Sequence, residues 1–324
     1  MRKEAKQSKS VTITTVHGYH EGGSWSNSES YAFAGFTTNK YFTSDRFIKL
    51  DDNFRRADGK PLKGYGLEIE TECNSISSPD VYAEVINKII LAQFPADLCK
   101  LQRDGSLSGQ SSAEIITQVM TREFIRNNYS AFKLMYDTYF KAFNISCAAS
   151  GRCGMHVNLS NGLFGNTEAT QATAIKKLLF FINKHYQLAC YLFNRNPART
   201  MYCQRMAQYT TAANCKAADL RRFPNDHGLC FNGSHYAAGR VELRLVGGQR
   251  SYGAFRNTME SVFHLVDACK RCTWAEMEDI TKVFSGCNQY VWDRLTTNCY
   301  QAGAITDAQI DAIRPTVNRE EVLL

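Results

Sequence analysis

The sequence predicts an α+β protein: one antiparallel sheet, helices packed on its back face, and a polar front face left for chemistry. Three observations carry this expectation. Short segments alternate apolar and polar residues with period two, as strands covered on one side do. Longer segments between them have helical periodicity. The strands are also half polar, whereas strands buried on both faces of a parallel sheet read as continuous apolar runs.

The central segment is Gly64-Tyr65-Gly66-Leu67-Glu68-Ile69-Glu70-Thr71-Glu72. Tyr65, Leu67 and Ile69 point one way and Glu68 and Glu70 the other. Two carboxylates about 7 Å apart on one strand face are costly to hold together unless cations sit between them. In Cys153-Gly154-Met155-His156-Val157-Asn158-Leu159, the polar face carries His156 and Asn158. In Arg240-Val241-Glu242-Leu243-Arg244-Leu245 it carries Arg240, Glu242 and Arg244.

Residues 1–45 are polar and rich in Gly and Ser, and read as an N-terminal tail or hairpin, with Tyr31 to Thr38 a candidate strand. Residues 46–324 read as one catalytic domain, entered through a turn-rich stretch around Asp58-Gly59-Lys60-Pro61. Ser78-Pro79-Asp80 starts a helix, with a capping hydroxyl and proline at the first helical position. Val81, Val85, Ile89 and Ile86, Ile90, Phe94 form its apolar stripe, and it stops before Pro95. Leu98 to Gln102 and Ala113 to Val119 read as a hairpin through Asp104-Gly105-Ser106 that brings Glu114 to the sheet. Arg122 to Phe143 reads as one helix, Thr167 to about Asn194 as another, and about 253–273 as a third, with short helices beyond. An irregular basic stretch from Arg195 to Phe223 includes Arg199, Arg205, Arg221 and Arg222.

The composition of the 324-residue chain is ordinary for a soluble globular protein: 44% hydrophobic and 21% charged. No apolar run approaches the roughly 20 residues that span a bilayer. The charged N-terminus lacks a following apolar segment, which points to a cytoplasmic protein. The net charge of +7 is spread along the chain; it is compatible with phosphate-bearing ligands or nucleic acid and identifies neither, and nucleic acid is not the partner expected. The twelve cysteines read as reduced buried thiols, and the Cys269-x-x-Cys272 pair falls in a helix rather than a zinc module.

Glu68, Glu70, Glu114 and Glu242 with His156 and Asn158 make a mostly oxygen-donor set. Hard cations such as Mg²⁺ prefer such donors and sit beside substrate phosphates rather than in complete protein cages. Arg244, on the same face as Glu242, can hold a phosphate or carboxylate through its planar fork. Together these residues fit phosphoryl transfer from a nucleotide, where positioning and charge stabilisation dominate. Each motif alone has a plain structural reading as a solvated or salt-bridged strand face; their order and shared alternation raise the joint reading.

Gly66-Leu67-Glu68-Ile69-Glu70, Asp104-Gly105-Ser106 with Glu114, Cys153-Gly154-Met155-His156-Val157-Asn158 and Val241-Glu242-Leu243-Arg244 occur in the order seen in the amidoligase family. These carboxylate–amine ligases are related to glutamine synthetase and glutamate–cysteine ligase. The resemblance covers roughly residues 64–270. It implies a glutamine-synthetase-like curved antiparallel sheet that binds ATP and Mg²⁺, with Mn²⁺ as an alternative. Glu68, His156 and Glu242 resemble ligands of the cation that bridges ATP phosphates, and Glu70 and Glu114 resemble ligands of a second cation near the acceptor carboxylate and the amine. Arg244 resembles the arginine that stabilises the phosphoryl group. Arg199 and Arg205 fall where such enzymes place a substrate- or phosphate-binding segment. Asn158, a candidate nucleotide-site residue, stands where many members have a second histidine.

The resemblance therefore implies an ATP-dependent ligase that joins a carboxylate to an amine through an acyl phosphate, with Arg244 and Glu70 in catalytic roles. The substrates expected are a carboxylate and an amine, on small molecules, peptides or modified macromolecules. Two other readings stand beside it: a phosphotransferase of the guanidino-kinase type, and a non-enzymatic basic nucleic-acid- or protein-binding module.

Overall fold

The computed structural model describes residues 14–17, 29–32, 40–42, 47–49, 63–77, 79–94, 99–102, 107, 111–117, 119–147, 153–198 and 201–313. The protein is α+β. Twelve described strands join in one sheet: β1 (Thr14–His17), β2 (Glu29–Ala32), β3 (Lys40–Phe42), β4 (Phe47–Lys49), β5 (Tyr65–Cys73), β6 (Cys99–Gln102), β7 (Ser112–Thr117), β8 (Val119–Met120), β9 (Ile145–Ser146), β10 (Met155–Ser160), β11 (Phe231–Asn232) and β12 (Arg240–Leu243). The main path runs β1-β2-β6-β7-β5-β10-β12-β11. Its pairings are antiparallel, and β3 with β8 is the parallel pair at the margin. The expected hairpin is the β6–β7 pair, and its Asp104-Gly105-Ser106 turn lies outside the described residues. Within the N-terminal region β1 pairs with β2, and β2 pairs with β6.

Alternation decides which face each residue takes. Leu67, Ile69, Met155, Val157, Leu159, Val241 and Leu243 are at most 1% exposed and belong to the core cluster. That back face packs against the helices Glu168–Lys184 and Tyr252–Arg271, through side chains such as Leu178, Ile182, Met259 and Val262. Tyr65 meets Phe263 edge to face at 4.7 Å. A slip of one residue in any central strand would turn its apolar set outward, so burial of this face fixes the register of the front.

The helices depart from the sequence expectation at identifiable points. Helix Pro79–Gln93 buries Tyr82, Ile86, Ile89 and Ile90, but leaves Val81 exposed. The expected Arg122–Phe143 helix breaks at Asn128, whose side-chain amide donates back to Phe124 O at 2.8 Å. Helix Tyr129–Lys133 then widens into a π-helix over Leu134–Phe140, which seats Met135, Tyr136 and Phe140 in the core. The expected helix to Asn194 also divides. His185 leaves the α region at φ −104°, ψ 41°, with Nε2 3.2 Å from Met277 O, and Tyr186–Leu192 continues as a separate helix. No described helix is long and apolar enough to cross a membrane. All twelve cysteines are free and buried, and burial pushes the Cys99, Cys147 and Cys269 thiols up.

One buried carboxylate ties three helical segments together. Glu260 accepts a bidentate pair from Arg126 at 2.8 and 2.6 Å, and further bonds from Tyr129 Oη at 2.8 Å and Asn288 Nδ2 at 2.9 Å. The Glu260 side chain is 2% exposed, whereas that of Arg126 is 44% exposed. In urea denaturation, Glu260→Ala should cost about 3 kcal/mol, because several donors lose a buried acceptor. Arg126→Ala should cost a comparable amount, about 3 kcal/mol, because it leaves the buried Glu260 carboxylate without its paired cation; a loss well below about 1 kcal/mol would contradict this account.

His264 stacks on Phe284, its Nε2 lies 2.8 Å from Val283 O, and burial pushes its imidazole below the usual value. A folded-state pKa lowered in this way supports the fold above the unfolded-state value of about 6.5, and the support is lost as pH falls through it. The melting temperature should therefore drop less between pH 7 and pH 5 in His264→Phe than in the wild type, as read by circular dichroism.

Candidate functional site

Front-face residues meet by strand register. Glu70 of β5 lies opposite Glu114 of β7, and Glu68 lies opposite His156 of β10. Asn158 lies opposite both Gly66 of β5 and Glu242 of β12. Gly66 leaves that row open beside Asn158, since a Cβ there would touch Asn158 Cβ at 3.4 Å. Four acids from three strands and one histidine thus converge.

They form two sets of donor atoms, Glu68–His156–Glu242 and Glu70–Glu114–His156, and within each set the atoms lie within 4.8 Å of one another. His156 belongs to both. Its Nδ1 is 3.3 Å from Glu68 Oε2 and 3.5 Å from Glu242 Oε1, while its Nε2 is 3.6 Å from Glu70 Oε1. The donors are mainly carboxylate oxygens, which suits a hard cation such as Mg²⁺ or Mn²⁺ with water completing its shell.

Positive and polar neighbours hold the acids apart. Burial pushes the Glu68 carboxyl up, but the hydrogen bond and charge of His156, the Asn158 amide and Arg240 outweigh it and bring the pKa down to about 2. Burial alone would lower His156; its bond to Glu68 and the charges of Glu70 and Glu242 raise it above the usual imidazole value, against opposition from Arg244. Arg244, just past the end of β12, donates to Glu242 Oε1 at 2.5 Å and, through Nε, to His227 O at 3.1 Å. Its Nη1 is 3.5 Å from His156 Nδ1.

Asn158 has its carbonyl oxygen engaged by Arg240, so its amide donates to Glu68 Oε1 at 2.7 Å. It therefore orients a carboxylate and does not present a free oxygen. Arg205 is not brought to this cluster. Its Nε donates to Asn183 O at 2.8 Å, and it lines a separate cavity of about 630 Å³ with Lys184, His185, Tyr186 and Glu278. Arg199 lies outside the described residues.

Several contributors have no motif of their own. Buried Asn232 of β11 donates to Glu242 Oε2 at 3.2 Å. The backbone N–H of Gly154 donates to Glu70 Oε2. Arg195 donates to Val246 O at 2.8 Å, and a Cβ on Gly154 would sit 3.0 Å from its Nη2 and 3.5 Å from Glu70 Oε2, so glycine leaves room for both side chains. Glu72 continues the row of Glu68 and Glu70; its period-two spacing was the available signal.

The corner beside Gly154 rests on Gly247 and Gly248. Gly247 pairs with Gly154 in an isolated bridge. A Cβ on Gly248 would overlap the Cys147 carbonyl and lie 3.1 Å from Cys153 O. Gly248→Ala should therefore destabilise the fold by more than about 3 kcal/mol, because only backbone stands in the way. Gly253→Ala, whose new Cβ meets nothing nearer than 4.0 Å, should be neutral or stabilising. Thermal melts of the two variants check this contrast.

No protein-family model matches the chain, and no curated protein matches its sequence. Among solved structures the chain is similar to a GmaS/ADP complex and to apo GmaS without ligand. Each has 15% sequence identity and a TM-score of 0.39, and the alignment covers 79% of this chain and 68% of GmaS.

Proposed function

We propose that the chain is an ATP-dependent carboxylate–amine ligase that forms an amide through an acyl phosphate. The observation that carries this reading is the two donor sets sharing His156, with Arg244 beside one of them. Glu68, His156 and Glu242 would hold the cation that meets the ATP phosphates, and Glu70, Glu114 and His156 a second one. Such cations neutralise phosphate oxygens and align attacking and leaving groups.

The protein's own residues position the reaction. Arg244 offers its remaining donors to the transferring phosphoryl group while Glu242 and His227 hold its guanidinium in place. Asn158, oriented by Arg240, fixes the Glu68 carboxylate. The carboxylate oxygen of the substrate takes the γ-phosphoryl group and ADP leaves. The amine nitrogen then bonds to the acyl carbon, the C–O bond to phosphate breaks, and inorganic phosphate departs with that electron pair and takes up the proton the nitrogen loses. No side-chain nucleophile is required, which leaves the buried thiols outside the chemistry.

The test is ADP release from ATP and Mg²⁺ with pools of carboxylates and amines. Wild-type turnover should need both an acid and an amine, and Glu68→Gln or Glu242→Gln should lower it by at least roughly 100-fold without lowering the melting temperature. Turnover that needs only a phosphoryl acceptor would replace the ligase with a phosphotransferase. Full turnover in either variant would overturn the assignment of these residues.

A further inference from the structure

Strand β5 carries a third front-face carboxylate that neither donor set uses. Glu72 lies two residues beyond Glu70, so its Cα is about 7 Å further along the same face. Its cross-strand neighbours are Ser112 of β7 on one side and Ser146 of β9 on the other. Glu72 is 5% exposed, and its Oε1 is buried with no hydrogen-bond partner. Glu68, Glu70 and Glu242, by contrast, each have a donor on at least one oxygen. A buried carboxylate oxygen with nothing to accept from is costly, so a cationic donor that meets it gains more than one at a solvated acid.

The surroundings distinguish which cation. Among the described residues, no third metal-ligating set includes Glu72, so a divalent ion there would find one anionic side chain. The flanking residues, Ser112 and Ser146, carry hydroxyls. One carboxylate with neighbouring hydroxyl acceptors matches a primary ammonium, which has a single charge and three N–H donors to place.

We propose that Glu72, flanked by Ser112 and Ser146, anchors a primary ammonium group of the substrate. This group is a recognition charge, not the reacting nitrogen, and it sits about 7 Å along β5 from the Glu70 set. The role assigned to it rests on the ligase reading above: one co-substrate carries a primary ammonium several bonds away from its reacting group. The binding itself does not depend on turnover.

The test uses methylammonium as the probe, titrated calorimetrically into the full chain with Mg²⁺ and without nucleotide, with tetramethylammonium as a cation lacking N–H donors. Methylammonium should bind the wild type, tetramethylammonium should bind far more weakly, and Glu72→Gln should weaken methylammonium about ten-fold or more. The stoichiometry of bound Mn²⁺ should be the same in wild type and Glu72→Gln. Glu72→Asp, which keeps the charge but withdraws it by one methylene, should bind with intermediate strength and guards against a folding defect in the first variant. Absence of methylammonium binding to the wild type, equal binding to Glu72→Gln, or loss of a bound Mn²⁺ in that variant would overturn the proposal. Failure of the ligase reading is seen separately, as ATP turnover indifferent to Glu68→Gln, and leaves the methylammonium result standing.

Discussion

The candidate site depends on the placement of one imidazole among four carboxylates. Glu68, Glu70, Glu114 and Glu242 would repel one another on a bare sheet face, and His156 presents one nitrogen to each of the two sets they form. That geometry requires four neighbouring strands, β7, β5, β10 and β12, in one register. The register is imposed from behind, where side chains at most 1% exposed interlock with the helices. Hydrophobic burial on one face thus supports an electrostatically unfavourable arrangement on the other.

The acids are held by short-range partners rather than by a general positive field. Arg240 acts on Glu68 through Asn158, Arg244 and Asn232 share Glu242, and a backbone N–H serves Glu70. A second layer lies beneath. Arg294 is 4% exposed, and burial brings its guanidinium down to about 10. It donates to Ala254 O and Thr258 Oγ1, and Thr258 donates to Gln249 Oε1, whose amide donates to Gly247 O. Arg294 also reaches Asn194 Oδ1, next to Arg195. Asn194 has φ 59°, a left-handed conformation that asparagine tolerates better than most residues, and its amide donates to Gly248 O. This connected polar layer braces the glycine corner where Arg195 and Glu70 both come close to Gly154.

The site therefore has a graded character along β5. At one end Glu68 is ringed by His156, Asn158 and Arg240; in the middle Glu70 meets a backbone donor and the second set; at the far end Glu72 keeps a buried oxygen without a donor. A strand lays such a gradient down because period-two spacing repeats the same chemistry every 7 Å or so while the neighbouring strands change what surrounds it.

What the sequence by itself determined was set by local periodicity. The faces of β5, β10 and β12, and hence the grouping of Glu68 and Glu70, His156 and Asn158, and Glu242 with Arg244, follow from alternation within a few residues. So does the start of the Glu168–Lys184 helix, where Thr167 caps its first turn. Tertiary structure alone decided that β5, β10 and β12 adjoin, because pairings such as Glu68 with His156 and Asn158 with Glu242, far apart in the chain, leave no mark in a local pattern. It decided that His156 is shared by both sets, that Asn158 faces Glu68 because Arg240 takes its oxygen, and that Arg205 packs on Asn183 instead of joining the cluster. It also broke the expected helices at Asn128 and His185, where a side-chain bond to Phe124 O and an imidazole beside Met277 O accompany the interruption of the helical pattern. Residues without a motif, Asn232, Arg195 and Gly154, entered the site only through packing, since a single amide, guanidinium or backbone N–H acquires its role from what stands opposite it.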